Sequence, residues 1–273
     1  MTDVTLHLGD CLEYMKTMDA GSVDAIITDL PYGTTACSWD EIIPFEPMWE
    51  CVRHVLKPRG VFVTTASQPF TSRLVCSNLD WFKYEWGWKK TKGSNFLHVK
   101  NMPLKIIENI VVFSSAEIGH AELLGNNRMN YYPQGVKKSK VFVKQNKNKS
   151  ELKYHRETQT NHTIGYMCQG AGYPTSLLEI KSEPYTVHPT QKPVALYEYL
   201  IRTYTNPGDT VLDFCMGSGT TGVAAIRTGR NFKGSETDTG YFAIAEKRIA
   251  EATLQPALFQ VDATPKEEQK ELL

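Results

Sequence analysis

The stretch at residues 211–222, VLDFCMGSGTTG, joins an apolar run to three spaced glycines. The apolar run predicts a buried strand, and Gly217, Gly219 and Gly222 fit the spacing G-x-G-x-x-G that opens a helix. Because glycine has no Cβ atom, the backbone can turn tightly and a ligand can approach the N–H groups of the helix start. The stretch predicts a strand–turn–helix unit that binds a nucleotide-like ligand, although a plain tight turn has the same pattern.

An acidic residue supports the nucleotide interpretation. Glu236 follows Gly219 by 17 residues and comes directly after another predicted strand. A carboxylate in that place can accept hydrogen bonds from ribose hydroxyls. NAD and S-adenosylmethionine both contain a ribose, so these residues alone leave both ligands open. An NAD(P)-dependent dehydrogenase is therefore one alternative.

Short apolar runs alternate with helical periodicity over most of the chain. The predicted strands cover residues 23–28, 60–65, 210–214 and 231–234. One predicted helix covers residues 45–56 and is expected to end at the proline and glycine within residues 57–60. A second has a face formed by Val194, Tyr197, Leu200, Ile201 and Tyr204. Strands that alternate with helices predict an α/β fold with a parallel sheet.

Composition excludes several classes of protein. The 273 residues are 41% hydrophobic, and 30 basic residues balance 30 acidic ones, so the global charge indicates no partner. The six cysteines form no CxxC pair and no Cys/His cluster, which predicts reduced thiols and no metal site. The first residues lack a signal pattern, and no apolar run could cross a bilayer. A cytoplasmic protein with no membrane partner is expected.

The stretch TDLPYG at residues 28–33 carries an acid and an aromatic ring on one turn. Asp29 is a hydrogen-bond acceptor at neutral pH, and Pro31 restricts the backbone of Leu30 to extended values. A carboxylate beside a backbone carbonyl can accept two hydrogen bonds from one amino group, and the ring of Tyr32 can stack on a heterocycle. These residues predict a site for an amino group on a base; a solvated turn with a capping aspartate is the alternative.

Five stretches resemble motifs of S-adenosylmethionine-dependent amino DNA methyltransferases. DLPY is similar to their D/N/S-P-P-Y signature, with Leu30 in place of the first proline. DFCMGSG resembles their D-x-F-x-G-x-G cofactor motif. HPTQKP at 188–193, HLGDC at 7–11 and ENIVVF at 108–113 resemble further elements. The target-amine motif precedes the glycine loop, as in the β class of this family.

This resemblance implies a fold and a division of the chain. The fold would be a Rossmann-like methyltransferase fold with circularly permuted motif order, a mostly parallel sheet and helices on both faces. Residues 1–115 and 186–256 would form one catalytic, cofactor-binding domain. Residues 116–185 would be an inserted target-recognition region, and residues 257–273 a flexible tail.

The resemblance also implies roles for individual residues. The enzyme would flip a base out of duplex DNA. Asp29 and the carbonyl of Leu30 would accept hydrogen bonds from its amino group, Pro31 would orient that carbonyl, and Tyr32 would stack on the base. Glu236 would hold the ribose, Asp10 the adenine amino group of the cofactor, and Thr190 and Lys192 the methionine end. The cofactor residues implied are Asp10, Cys11, Asp29, Thr190, Lys192, Asp213, Phe214, Gly217, Gly219 and Glu236.

A basic segment falls inside the implied target-recognition region. Residues 126–156 contain nine basic residues and one acid, for a net charge of plus eight. Lysines bind phosphates without regard to sequence. The lysines expected to contact DNA are Lys137, Lys138, Lys140, Lys144 and Lys147. A solvated basic loop is the structural alternative.

The aspartate at position 29 favours adenine N6 over cytosine N4 as the target in this family. Two more hypotheses stay open: a methyltransferase that acts on RNA or protein, and a DNA-binding protein that has lost catalysis through the change at Leu30. The resemblance implies duplex DNA as partner, and leaves open a homodimer and a cognate restriction endonuclease in the same host or phage.

Overall fold

The computed structural model of the chain describes residues 2–34, 40–144, 165–183 and 191–254. Its strands are β1 (Val4–Leu8), β2 (Val23–Asp29), β3 (Leu56–Ala66), β4 (Phe82–Ser94), β5 (Lys105–Phe113), β6 (Lys137–Lys144), β7 (Gly165–Ala171), β8 (Leu177–Leu178), β9 (Thr210–Asp213) and β10 (Asn231–Glu236). Its α-helices are α1 (Cys11–Thr17), α2 (Phe45–Val55), α3 (Phe70–Ser77), α4 (Ala121–Leu124), α5 (Val194–Tyr204), α6 (Thr220–Arg227) and α7 (Thr239–Leu254).

Eight strands form one sheet in the order β1-β10-β9-β2-β3-β5-β4-β8. Every neighbouring pair is parallel except the two pairs made by β5, which runs against β3 and β4. The predicted mostly parallel sheet is confirmed, with one reversed strand. From β2 the chain continues on one side to β3, and from β9 it continues on the other side to β10, so strand order reverses between β2 and β9.

Alternating side chains on the central strands build two separate cores. On β3, Val61 and Val63 enter one apolar cluster and Phe62 enters the other. Successive side chains of a strand point to opposite faces, so both faces must be covered. Helices α5, α6 and α7 contribute to the cluster with Val61, and α1, α2 and α3 to the cluster with Phe62. The predicted helices on both faces are confirmed.

Most of the predicted elements are confirmed with small shifts. The predicted end of the helix at residue 56 is confirmed within one residue, at Val55, but residues 57–60 belong to β3, which begins at once with Leu56. Gly60 lies inside β3, where a Cβ atom would come within 2.9 Å of the Asp24 carbonyl oxygen. This glycine therefore allows a close backbone approach within the strand instead of ending the helix.

The described residues fall into two compact units. The first takes residues from Met1–Tyr132 and Thr175–Ala263, and the second takes residues from Pro133–Pro174. The second unit contains the antiparallel pair of β6 and β7, in a segment where the sequence shows few strand signals. Its bounds are narrower than the predicted insert at 116–185, whose recognition role stays a prediction. The predicted tail at 257–273 lies outside the described residues. Among the described residues, no helix is long and apolar enough to span a bilayer.

Candidate active site

The strand ends bring the predicted site residues to one edge of the sheet. Asp29 ends β2, Asp213 ends β9 and Glu236 ends β10. Thr65, near the end of β3, lies directly opposite Asp29 in the sheet register. In open α/β sheets, ligands bind outside the carboxyl ends of the strands where strand order reverses. Strands β2 and β9 flank that reversal, so these three carboxylates surround the expected binding crevice.

A cavity of about 760 Å³ opens at this edge. This volume is within the usual range for a site that encloses a small molecule or cofactor. The predicted site residues that line it are Asp10, Cys11, Asp29, Leu30, Pro31, Tyr32, Lys192, Asp213, Phe214, Gly217 and Glu236. Gly219 is not part of its lining, and Thr190 lies outside the described residues. The structure thus brings together residues from both ends of the sequence.

The carboxylate of Asp29 is held by three side chains. Its Oδ1 atom accepts hydrogen bonds from the hydroxyl of Tyr32 at 2.8 Å and from the hydroxyl of Thr65. Its Oδ2 atom lies 2.6 Å from Nζ of Lys192. Since a carboxylate oxygen can accept about two hydrogen bonds, Oδ2 retains capacity for one further donor. The aspartate is therefore fixed in orientation and still able to bind an amino group.

Tyr32 is oriented by its neighbours on both sides. Its ring stacks on Phe70 with centroids 5.2 Å apart. The ammonium of Lys192 lies 5.8 Å from the ring centroid. Burial raises the pKa of Tyr32 well above its usual range, and the carboxylates of Asp29 and Glu108 raise it further. The phenol therefore stays protonated and remains a hydrogen-bond donor to Asp29.

Lys192 is buried at the Asp29 side of the cavity. Its side chain is 8% exposed, and Nζ lies 2.6 Å from Asp29 and 3.6 Å from Oε2 of Glu108. Burial by itself lowers the pKa of Lys192, but the two carboxylates outweigh it and raise the pKa. The lysine therefore carries a proton and a positive charge beside Asp29. Its predicted contact with the methionine end of a cofactor stays a prediction.

Glu108, on β5, is a partly buried carboxylate, and one of its oxygens accepts no hydrogen bond from the described residues. Its Oε1 atom bonds to Nζ of Lys90 at 3.1 Å. Among the described residues, no group hydrogen-bonds to its buried Oε2 atom. Buried polar atoms without a partner are rare and costly in native proteins. Oε2 is thus an acceptor within 3.6 Å of a lysine that is bonded elsewhere.

Asp40 holds the turn that carries Tyr32. Its Oδ1 atom accepts from the backbone N–H groups of Tyr32 at 2.7 Å and Gly33 at 2.9 Å. Its Oδ2 atom accepts from the N–H of Thr34 at 2.8 Å. The carboxylate is 8% exposed, and hydrogen bonds to a charged acceptor are stronger than neutral ones. One side chain therefore fixes three successive backbone groups of the turn.

Leu30 occupies the position of the first proline in the D/N/S-P-P-Y signature. Its side chain is 4% exposed and belongs to the apolar cluster shared with α2 and α3. Burial of a leucine contributes roughly 1.5–3 kcal/mol. The residue therefore anchors the turn by packing, a role that the sequence did not indicate.

The glycines of the loop serve different purposes. Gly217 has a φ of 50° and open space where a Cβ atom would lie. Gly219 has a φ of 78° and would place a Cβ atom 2.9 Å from that of Ala245. At Gly222 a Cβ atom would lie 2.4 Å from Ile249. The first glycine leaves room for a ligand, while the other two let α6 pack closely against α7.

Glu236 is tied to the glycine loop. Its Oε2 atom accepts from the N–H of Gly217 at 2.9 Å, and its Oε1 atom accepts from the N–H groups of Thr237 and Asp238. Oε2 therefore keeps room for a second donor on the cavity side. A ribose hydroxyl is a donor of this kind, and the ribose role of Glu236 stays a prediction.

Asp213 stabilises the glycine loop through hydrogen bonds. Its Oδ1 atom accepts from the hydroxyl of Thr28 and the N–H of Cys215, and its Oδ2 atom accepts from the hydroxyl of Thr221 at 2.5 Å. Burial raises the pKa of Asp213 to about 6, although these hydrogen bonds lower it. The side chain is 3% exposed, so it supports the loop more than it contacts solvent or ligand.

Asp10 and Cys11 also line the cavity. Oδ1 of Asp10 caps α1 by accepting from the N–H groups of Leu12 and Glu13, both at 2.9 Å. Its Oδ2 atom accepts no hydrogen bond from the described residues and is available for an amino group. A hydrogen bond from the thiol of Cys215 lowers the pKa of Cys11. Cys11 and Cys215 are both free thiols.

The predicted DNA-binding lysines are described only in part. Lys137 begins β6 and is exposed. The backbones of Lys138, Lys140 and Lys144 belong to the same strand, and Lys147 lies outside the described residues. Their binding to DNA stays a prediction.

Sequence reasoning missed four residues of this site. Asp40, Thr65, Glu108 and Tyr197 all line the cavity or bond to Asp29. Glu108 lies in the quoted stretch ENIVVF, which predicted only a strand. Thr65, Glu108 and Tyr197 meet the site through contacts between distant segments, and Asp40 does so through a loop contact six to eight residues away. The acid within a largely apolar strand was one signal available, at Glu108, the fourth residue of β5.

The fold and the site together define an α/β protein with a nucleotide-sized cavity and a clamp for an amino group. The family model described as DNA methylase, of the N6 and N4 type, matches residues 23–247. The chain belongs to this DNA methylase family. The implied family is thereby confirmed.

Relatives of known name cover most of the chain. DNA adenine methyltransferase YhdJ of Escherichia coli (strain K12) is 29% identical over 268 residues, which cover 90% of this chain and 82% of that protein. Type II methyltransferase M.HinfI of Haemophilus influenzae is 28% identical over 281 residues, which cover 92% of this chain and 70% of that protein. The likeness therefore extends over both motif-bearing ends of the chain.

Solved structures have the same fold. M1.HpyAVI in complex with SAM superposes with a TM-score of 0.57 at 27% identity, covering 90% of this chain and 99% of that chain. The cytosine-N4-specific PvuII DNA methyltransferase gives a TM-score of 0.63 at 18% identity, covering 100% and 92%. The second likeness concerns the fold alone.

Proposed function

We propose that this DNA methylase transfers a methyl group from S-adenosylmethionine to the N6 amino group of an adenine in duplex DNA. The observation that carries the proposal is the fixed carboxylate of Asp29, beside the ring of Tyr32 and across one cavity from the glycine loop. A target amine and a methyl donor can then meet in a single enclosed space. Adenine is favoured because position 29 is an aspartate and because YhdJ is named an adenine methyltransferase.

The residues at the glycine loop fit S-adenosylmethionine. Gly217 leaves open space on the cavity side, and Oε2 of Glu236 retains a lone pair for a ribose hydroxyl. Oδ2 of Asp10 can accept from an adenine amino group, and Phe214 lines the cavity between them. When bound there, S-adenosylmethionine supplies an electrophilic methyl group on a sulfonium sulfur.

The chain's own contribution is to orient the target amine. The amine donates one hydrogen bond to Oδ2 of Asp29 and one to the carbonyl of Leu30, which turns its nitrogen lone pair toward the methyl donor. Tyr32 and Thr65 keep the carboxylate from rotating as this happens. Positioning of this kind can supply much of the rate enhancement of a displacement reaction. Asp29 is also placed to take the proton that the amine loses.

Lys192 occupies the donor position on Asp29 before a base arrives. The amine would share Oδ2 with Lys192 unless the lysine shifts, and Oε2 of Glu108, which accepts no hydrogen bond from the described residues, lies 3.6 Å from its Nζ atom. The ammonium can therefore move toward Glu108 and stay paired with a carboxylate, while the amino group of the base replaces it as a hydrogen-bond donor to Asp29. This shift also opens the face of Tyr32 on which the base stacks, a contact worth roughly 1–3 kcal/mol.

Transfer of a labelled methyl group tests the proposal. The protein is incubated with tritiated S-adenosylmethionine and unmethylated plasmid DNA, and the DNA is digested to nucleosides. Label in N6-methyladenine is the expected result. Label in N4-methylcytosine would move the proposal to cytosine, which the fold of the PvuII enzyme also accommodates. Absence of label in DNA, with label in added RNA or protein, would refute it.

DNA contact by the basic segment is part of the same proposal. The exposed Lys137 and its neighbouring lysines in sequence would bind phosphates, and such binding weakens as salt rises. Replacing Lys137, Lys138 and Lys140 together by glutamine should lower duplex affinity and flatten its dependence on salt. An unchanged salt slope would contradict this role. A cytoplasmic location, a homodimer and a companion restriction endonuclease remain expectations from the resemblance.

A further inference from the structure

The hairpin of β4 and β5 continues past the cavity into an exposed tip. Trp88, Lys90 and Ser94 on β4 line the cavity. The pairing of β4 with β5 shifts its register between Lys89 and Ser94, and Ser94 still lies at the cavity beyond this irregularity. Ser94 pairs with Lys105, and this is the last pair before the tip at residues 95–104. The tip therefore begins where the cavity lining ends.

The tip exposes large apolar side chains. Phe96 is 63% exposed, Leu97 is 96% exposed and Met102 is 52% exposed. Contiguous exposed apolar side chains commonly mark an interaction site. Phe96, Leu97 and Met102 are called the apolar tip cluster below.

The tip is held in shape by its own hydrogen bonds. Asn95 has a left-handed backbone with φ of 74°, and its carbonyl accepts from the N–H of His98 at 3.1 Å. The carbonyl of His98 accepts from the N–H groups of Asn101 at 2.8 Å and Met102 at 3.0 Å. The side-chain amide of Asn95 also reaches the sulfur of Met102 at 3.0 Å. The apolar side chains are thus presented by a formed turn, and little ordering is needed on binding.

The surroundings of the tip are basic. Residues 86–107 contain five lysines and no acidic residue. Lys89 and Lys90 pair with Glu179 and Glu108. Lys92, Lys100 and Lys105 form no ion pair with any other residue in the described part of the chain. Three such lysines around the apolar tip cluster favour a binding partner that is a polyanion and also has apolar surfaces.

We infer that the apolar tip cluster inserts into duplex DNA at the place that the target base leaves. This inference rests on the proposed function. Flipping a base costs a few kcal/mol of stacking and pairing, and leaves an apolar gap between the neighbouring bases. Phe, Leu and Met are among the side chains that proteins insert between base steps. The tip adjoins the cavity that receives the base, and its free lysines can bind the phosphates on either side.

The test compares two duplexes with three proteins. The recognition site is first read by sequencing methylated DNA from expressing cells. One synthetic duplex carries the target base paired, and the other carries it opposite an abasic site, where flipping costs little. The variant is Phe96→Ser with Leu97→Ser, and the control is Leu79→Ser, an exposed leucine outside the hairpin that is 63% exposed.

The double variant should lose about tenfold or more in kcat/KM on the paired duplex and much less on the abasic one. The control should match the wild type on both. Equal losses on the two duplexes, or no loss on either, would overturn the inference. Loss of a wild-type dimer in the double variant, seen by sedimentation velocity, would overturn it too, because the tip would then bind a second copy of the chain.

A second readout does not depend on methyl transfer. A duplex with 2-aminopurine at the target position gains fluorescence when that base leaves the stack. The wild type should produce this gain and the double variant a clearly smaller one at saturating protein. A gain in fluorescence with this duplex, together with no methylation of the matching duplex that carries adenine, would refute the proposed function and leave the inference standing. An equal gain with both proteins would refute the inference alone.

Discussion

The ammonium of Lys192 lies 2.6 Å from Oδ2 of Asp29, across 163 residues of sequence. The same Nζ atom lies 3.6 Å from Oε2 of Glu108, which no described residue hydrogen-bonds. One buried cation therefore stands between two carboxylates, only one of which it satisfies. Lys192 can therefore occupy the target-amine site on Asp29, and that site remains available because the lysine can shift toward Glu108.

Removing the Asp29 carboxylate should separate catalysis from cofactor binding. Asp29→Asn keeps the size of the side chain, but its amide has only one acceptor oxygen for Thr65, Tyr32 and the target amine. We expect kcat to fall by about a hundredfold or more, as for other losses of positioning. Binding of S-adenosylmethionine, measured by calorimetry, should change little. Wild-type turnover in this variant would contradict the assigned role.

The two-carboxylate arrangement predicts strong coupling between Glu108 and Lys192. Glu108→Gln removes the charge that receives Lys192, so the lysine stays on Asp29 and the target amine competes with it. We expect kcat/KM for DNA to fall by about tenfold, which is about 1.4 kcal/mol. In a Lys192→Gln background the same change should cost far less, because no ammonium blocks Asp29.

A double-mutant cycle measures this coupling. Single-turnover rates are compared for the wild type, Glu108→Gln, Lys192→Gln and the double variant at saturating cofactor. Glu179→Gln is a matched control, since Glu179 pairs with the half-exposed Lys89 outside the cavity. Equal effects of Glu108→Gln in both backgrounds would show that Glu108 acts independently of Lys192.

Loss of Asp40 should loosen the turn that carries Tyr32. Asp40→Ala removes the acceptor of three backbone N–H groups, at Tyr32, Gly33 and Thr34. We expect the free energy of unfolding to fall by about 1–3 kcal/mol and kcat to fall more than cofactor affinity does. Chemical denaturation and steady-state kinetics check this, with Asp19→Ala as an exposed control. A stability loss without any change in kcat would argue against a positioning role.

The raised pKa of Asp213 predicts that the free energy of unfolding depends on pH in a distinct way. Its pKa in the folded protein is about 6, against 3.8 for the unperturbed group. Between these values the folded protein binds more protons than the unfolded chain, so the contribution of Asp213 to stability falls as pH rises and is constant above about pH 6. The change is on the order of 3 kcal/mol.

The comparison with Asp213→Asn isolates this contribution. Asparagine does not titrate, so the hydrogen-bond acceptor that the variant loses changes its free energy of unfolding by the same amount at every pH. The free energy of unfolding of the variant, relative to wild type, should therefore improve as pH rises from about 4 to 6. Urea titrations at several pH values measure it. A difference that is independent of pH would show that the folded pKa is close to its ordinary value.

Leu30 should tolerate proline with a limited cost. Pro31 already restricts the backbone of residue 30, so Leu30→Pro keeps the carbonyl that faces the amine. The buried leucine side chain is partly lost, and we expect stability to fall by about 1–3 kcal/mol while kcat stays within about tenfold. Denaturation and kinetics on the same preparation separate the two effects. A collapse of kcat at unchanged stability would reveal a catalytic role for the leucine side chain.

Much of the fold could be predicted because local pattern and global topology agree. The apolar run of β2 and the glycines before α6 each specify their own element. By contrast, the reversed strand β5 carries no local sign of its direction, since an apolar run is the same read either way. The β6–β7 pair was missed because β6 begins with a lysine-rich stretch and β7 carries two glycines, so neither segment shows the local pattern typical of a strand.

The sequence by itself determined the acceptors and the glycines: Asp29 beside a proline-restricted carbonyl, and the loop that opens toward a ligand. These depend on short-range backbone chemistry, which acts within a few residues. Only the tertiary structure decided that Lys192 and Glu108 meet at Asp29 and that Asp40 fixes the turn of Tyr32. The first contact arises because strand β5, the end of β2 and the segment before α5 meet at one edge of the sheet, where burial makes each unpaired charge costly. The second depends on the path of the loop after β2, which brings Asp40 back to the turn.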